Sequence, residues 1–250
     1  MTLKKKKTYK RKSSFSSSST TKLNLNEEKQ KQIKLNYNKK EQETYTTISN
    51  QTIEYKEITV KCAFEKIDNF LYQHLNRNNI AVIGALAWFT HFPLLEFLSS
   101  KQIPCNLLVQ KELFLNPKKV STEKEHFCEQ LREAYSKLNY WNTEKEKEEE
   151  RKGENITEAV RCIGIINKKK DNPVFMHHKF LILLDKTTKK PFAVLNGSCN
   201  LSQNSVHNLE NMIYIQNEEV AIQFYNEWKA ISLLAEPLDW TSRNNLSNFK

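Results

Sequence analysis

His177 and Lys179 stand two residues apart in Met176-His177-His178-Lys179, and Gly197-Ser198-Cys199-Asn200 follows after two apolar runs. An imidazole, an ammonium, a hydroxyl and a carboxamide make a phosphate site when a hairpin gathers them. The imidazole can attack phosphorus, while the cation and the neutral donors hold the charge that builds on its oxygens. Residues 174–184 are rich in apolar and aromatic side chains behind Pro173 and predict a strand. The run 192–195 predicts its return, delivering Gly197, Ser198 and Asn200 to a turn. Alternation along the first strand turns His177 and Lys179 one way and His178 the other, so His178 reads as packing rather than as a metal ligand.

The elements that must position this hairpin occupy residues 55–240. Ile58, Val60 and Cys62 alternate with polar residues as in a strand, and Phe64, Ile67, Phe70, Leu71 and Leu75 recur at helical spacing. A central strand is predicted over 80–88, a helix over 92–100 with Pro93 in its first turn, and a strand over 105–109. Residues 122–141 read as a helix with Phe127, Leu131, Tyr135 and Leu138 on one face, leading into a charged insertion, 142–155. Strands over 161–166 and 212–215 and a helix over 218–234 complete an α/β chain, a sandwich of helices around a mixed sheet. Residues 241–250 are a short C-terminal tail. Trp88 and Phe89 read as core rather than as base-stacking platforms, and His91 as loop decoration.

The ordered pattern His-x-Lys, apolar strand, Asp, apolar strand, Gly-Ser-x-Asn resembles the signature of the phospholipase D superfamily, carried here by His177, Lys179, Asp185, Gly197, Ser198 and Asn200. Glu210, in Asn208-Leu209-Glu210-Asn211, stands where the family places an acidic residue on the next strand. Upstream, 80–90, 94–98 and 105–110 resemble the strand–helix–strand opening of such domains, so the likeness spans roughly residues 57–235. Asp185 departs from the pattern, because five residues separate it from Lys179 where the family has four. A one-residue slip turns a strand residue to the other face, so Asp185 is expected to open the turn Asp-Lys-Thr-Thr-Lys-Lys and to take no part in chemistry.

The resemblance implies a phospholipase D-like α-β-α sandwich and a two-histidine, two-step phosphodiester cleavage. His177 is implied as the nucleophile that becomes a phosphohistidine, Lys179 and Asn200 as ligands of the non-bridging oxygens, Ser198 as their support, and Glu210 as the group that orients the imidazole. No metal or other cofactor is implied. The chain holds one His-x-Lys motif, so the resemblance implies a homodimer with two motifs face to face. An endonuclease is the first expectation; a phospholipase or cardiolipin hydrolase at a membrane surface, and a catalytically inactive binding module, are the alternatives.

Charge bears on the partners. Residues 1–40 hold 13 Lys or Arg and two Glu, a net of +11 in a chain whose total is +10, which leaves the body near −1. Residues 1–54 are rich in Lys, Ser, Thr, Asn and Gln and predict a disordered basic tail. Such a tail gives a salt-dependent grip on nucleic acid, DNA or RNA, or on anionic phospholipid. Five scattered cysteines without C-x-x-C spacing exclude a zinc ribbon or disulfide framework, with Cys62, Cys105 and Cys162 expected as buried thiols. With no apolar run long enough to span a membrane and no secretory signal, an intracellular place is expected: cytoplasmic, or nuclear through the basic tail.

Overall fold

The computed structural model describes residues 32–34, 44–46, 58–115, 125–142, 158–164, 175–205 and 208–238. Chain order runs β1 (Gln32–Lys34), β2 (Thr44–Thr46), β3 (Thr59–Ala63), α1 (Ile67–Leu75), β4 (Ile80–Leu86), α2 (Phe92–Ser100), β5 (Cys105–Gln110) and α3 (Glu125–Ser136). It continues with β6 (Val160–Ile163), β7 (Lys179–Asp185), β8 (Pro191–Gly197), β9 (Met212–Gln216), α4 (Glu218–Ser232) and β10 (Glu236–Pro237). β1 and β2 pair antiparallel as a separate ribbon within the stretch expected as tail, and the rest of residues 1–57 lies outside the described residues. So do the charged insertion from 143 onward and residues 241–250.

The main sheet has the order β10-β6-β5-β4-β7-β8-β9-β3, with β4, β5 and β6 parallel and the other neighbours antiparallel. Every residue of β4 is buried, because this central strand is covered on both faces, the condition under which a strand reads as a continuous apolar run. On one face Leu71 of α1, Leu95 of α2 and Leu131 of α3 pack with Val82, Leu107, Leu181 and Leu195. On the other, Trp228 and Ile231 of α4 pack with Ile83, Phe180, Ile182 and Val194. The chain is therefore the expected α-β-α sandwich around a mixed sheet. α4 starts where Asn217 caps it, its side chain accepting the Val220 N–H at 2.9 Å, with Glu218 and Glu219 at the positive end of the helix.

Four local expectations are corrected. β7 begins at Lys179, so residues 175–178 are an irregular lead-in whose Met176 is buried beside the α4 face instead of joining the sheet. β3 lies at the sheet edge, which leaves Ile58 and Val60 exposed, and Cys62 with them. Phe127 is exposed although Leu131, Tyr135 and Leu138 are buried, since α3 turns only part of its apolar stripe to the core. His91 is buried, 3.5 Å from the Asp68 carboxylate at the start of α2, and is not a loop ornament.

His74 is a buried imidazole with acid consequences. Its ring stacks on Tyr214 at 3.8 Å and meets the edge of Phe70 at 4.7 Å, and neither ring nitrogen has a hydrogen-bond partner. Burial, reinforced by Lys61 and Arg77, lowers its pKa to about 4. The unfolded chain binds a proton near pH 6.5 that the folded chain refuses until about pH 4. Stability present above the unfolded value is therefore lost as pH falls through this window, by roughly 3 kcal/mol. Urea unfolding of His74→Phe at pH 7 and pH 4.5 should show a shallower loss than the parent, with neutral-pH stability equal or higher; an unchanged loss would assign the acid sensitivity elsewhere.

Candidate active site

Pairing gathers the signature residues at one end of the sheet. Lys179, first in β7, lies opposite Leu86, last in β4, while Gly197, last in β8, lies opposite Met212, first in β9. Side-chain alternation in β7 puts Lys179 on the face of Leu181 and Leu183, beneath α1 to α3. Gly197 tolerates no side chain, because a Cβ there would run into the Asn211 backbone carbonyl. That close approach lets the Ser198 N–H donate to Asn211 O at 3.1 Å and the Asn211 N–H donate to Ser198 Oγ at 3.0 Å.

His177 is exposed, and the Lys179 ammonium stands 3.1 Å from its Nδ1 and 3.3 Å from its Nε2. Lys179 Nζ also donates to the His177 carbonyl at 3.0 Å, a local clamp between the two signature residues. Partial desolvation, then the charges of Lys179 and His178, hold the His177 pKa below the ordinary imidazole value, which favours the neutral ring at neutral pH. Desolvation also lowers Lys179, and the Glu210 carboxylate works the other way. Ser198 donates its hydroxyl to Glu210. Asn200 Oδ1 is buried without a protein donor, which leaves hydrogen-bonding capacity in the site unspent.

Glu210 is thus next to Ser198 and Lys179 instead of against the imidazole. The ring contact of His177 beyond Lys179 is Trp88, edge on at 5.8 Å, with the indole N–H donating to Glu112 Oε1 at 3.2 Å. Trp88 is half-buried beside the site and so is not simply core; Phe89 is core. His178 turns to the α4 side, as alternation suggested, but meets Glu227 at 3.1 Å in a half-exposed position instead of packing inside. Asp185 ends β7 at the opposite end from Lys179, roughly 20 Å away at strand rise. It accepts the Thr187 and Thr188 N–H groups and the Asn79 amide, the first two of which define a turn opened by its carboxylate. The backbone bond from Thr188 leads the lowering of its pKa.

Sequence reasoning missed Gln110, whose carboxamide reaches the Met176 backbone one residue before His177. Its signal was a carboxamide closing the otherwise apolar stretch Leu107-Leu108-Val109-Gln110 at the end of β5. Among the described residues no group of three or more His, Cys, Asp or Glu side chains converges in a way that could hold a metal ion, and no helix is long and apolar enough to cross a membrane.

An α-β-α sandwich with His-x-Lys and Gly-Ser-x-Asn side by side at one sheet end defines a class of phosphodiester-acting proteins. The chain belongs to the phospholipase D superfamily: residues 95–231 match the family model described as cardiolipin synthase, PLD-like domain. It is 31% identical over 210 residues to an uncharacterized protein of Acanthamoeba polyphaga mimivirus, covering 78% of this chain and 72% of that one. Among solved structures it is similar to NucT from Helicobacter pylori, with TM-score 0.47, 16% identity, and 72% and 99% of the two chains covered. It is also similar to Nuc from Salmonella typhimurium, a phospholipase D family member, with TM-score 0.43, 12% identity, and 72% and 97% covered.

Proposed function

We propose that this protein is an endonuclease that hydrolyses nucleic-acid phosphodiester bonds through a phosphohistidine intermediate, in a site completed by a second copy of the chain. The observation that carries the reading is the neutral imidazole of His177 held 3.1 Å from the Lys179 ammonium beside the Ser198–Glu210 pair. The imidazole nitrogen bonds phosphorus as the bond to the leaving oxygen breaks. The proton for that oxygen comes from the imidazolium of the second copy, whose proton affinity the incoming phosphodiester anion raises. Water then attacks phosphorus, the N–P bond breaks, and the water's proton passes to the imidazole that acted as acid. Lys179 and Asn200 hold the non-bridging oxygens as negative charge builds, and Ser198 fixes their surroundings. These donors supply the charge stabilisation, so the reading requires no metal.

Nucleic acid is preferred because the net +11 of residues 1–40 gives a near-neutral body its attraction for a polyanion. A phospholipid substrate is the second reading, favoured by exposed Phe175 and Leu209, which flank His177 and Glu210 in sequence. Purified protein in EDTA should cut plasmid DNA or single-stranded RNA and leave cardiolipin vesicles intact. Turnover of cardiolipin alone would replace the first reading by the second. Activity that vanishes in EDTA and returns with a divalent ion would overturn the metal-free mechanism.

A further inference from the structure

We propose that Gln110 is a positioning residue for His177: its buried carboxamide pins the irregular segment that carries the nucleophile to the rigid end of β5. The proposal rests on reading His177 as the nucleophile. Residues 175–178 lie outside the sheet, so no strand ladder holds His177 in place. A loop nucleophile needs other anchors, since displacement by about 1 Å costs catalysis on the order of a hundredfold.

Gln110 is 2% exposed, and its Oε1 accepts the Met176 N–H at 2.7 Å. Its Nε2 donates to the Lys111 carbonyl at 3.1 Å, which fixes the orientation of the amide. The same corner ties the next residue along the segment: Ala87 N–H donates to the His178 carbonyl at 2.8 Å, and Gln110 N–H donates to the Ala87 carbonyl at 3.3 Å. Backbone bonds therefore bracket His177 on both sides, and one of the two is supplied by a side chain.

Gly164 supports the assignment independently. It sits at φ 125°, and a Cβ there would lie 2.6 Å from Gln110 Nε2 and 2.7 Å from Oε1. The carboxamide fills the space that any other residue at 164 would occupy. Volume alone does not explain Gln110, because leucine would fill it comparably but leave the buried Met176 N–H and Lys111 carbonyl without these partners. The Met176 side chain, itself buried, holds the other flank of the segment in the α4-side core.

The test compares Gln110→Leu and Gln110→Glu with the parent in two measurements: hydrolysis of bis(4-nitrophenyl) phosphate, and NMR titration of the His177 imidazole without substrate. Gln110→Leu should lower kcat about 10- to 100-fold with KM within about twofold. Its His177 midpoint should rise toward the ordinary value near 6.5 as the loosened segment becomes better solvated. Gln110→Glu keeps an acceptor for Met176 N–H and should recover part of kcat. A folded Gln110→Leu with parental kcat and an unmoved His177 midpoint would overturn the proposal. Should Gln110→Leu fail to fold, Gly164→Ala displaces the same carboxamide, and an unmoved His177 midpoint there overturns it equally. If the parent hydrolyses no phosphodiester, the proposed function fails, while the His177 titration still decides the role of Gln110.

Discussion

His177→Ala is expected to lower phosphodiester hydrolysis about a thousandfold or more, because it removes the atom that forms the covalent intermediate in the proposed mechanism. The loss should appear in kcat, with nucleic-acid binding nearly intact, since Lys179, Asn200 and the basic residues remain. Stability should change by only a few tenths of a kcal/mol, as expected for an exposed side chain whose ring contacts are the Lys179 ammonium and the Trp88 edge. Burial comes first, then Lys179 and His178, in holding the His177 pKa below its ordinary value. The acid limb of kcat/KM, which reports deprotonation of the free nucleophile, should therefore lie below pH 6.5. Replacing His178 by Gln removes the weakest of these causes, and the limb should move slightly upward in pH with kcat held. A downward move would contradict the electrostatics. Residual activity above a few per cent in His177→Ala would show that another group attacks phosphorus.

Much of this site was legible because it is local. His177 and Lys179 are two residues apart, and the Gly197-Ser198-Cys199-Asn200 turn follows from a hairpin whose strands announce themselves by composition. The central strand was legible for the same reason, since burial on both faces demands an unbroken apolar run. Spacing alone assigned Asp185 to a turn, and its carboxylate does open the β7–β8 turn at the far end of β7 from Lys179.

What escaped depends on contacts distant in sequence. The apolar residues before Lys179 look like strand, yet Met176 uses its side chain in the α4-side core and its N–H on Gln110, 66 residues away. Alternation in β3 implies a buried face, but an edge strand has one neighbour, and Val60 is left 54% exposed. Glu210 matches the expected acidic position, but no local pattern says whether its carboxylate takes a hydroxyl or an imidazole, and here it takes Ser198. His91 and His74 are short-range puzzles with long-range answers, resolved by Asp68 from α1 and by Tyr214 from β9.

Breaking the Lys111–Glu236 ion pair is expected to give the largest stability loss at a single position. The pair joins the residue after β5 to the two-residue strand β10, and its side chains are only 8% and 6% exposed. Removing one member takes from the other its closely placed opposite charge in a poorly solvated place, at a cost of about 3–5 kcal/mol. Lys111→Met and Glu236→Leu should each lower the free energy of unfolding in urea by that amount, while the double variant should recover most of it, because two apolar groups leave neither charge of the pair behind. Additive losses in the double variant would mean that the pair acts by packing or through separate partners. The recovered variant should still differ from the parent in one respect. β10 is held to β6 by only two register positions, Glu236 opposite Cys162 and Pro237 opposite Arg161, and Pro237 has no N–H to give. A strand so short takes its place from the ion pair more than from its ladder. Amide exchange at the β6–β10 edge should therefore be faster in the double variant even where its midpoint matches the parent, since apolar contact restores free energy without restoring a directional tie to Lys111.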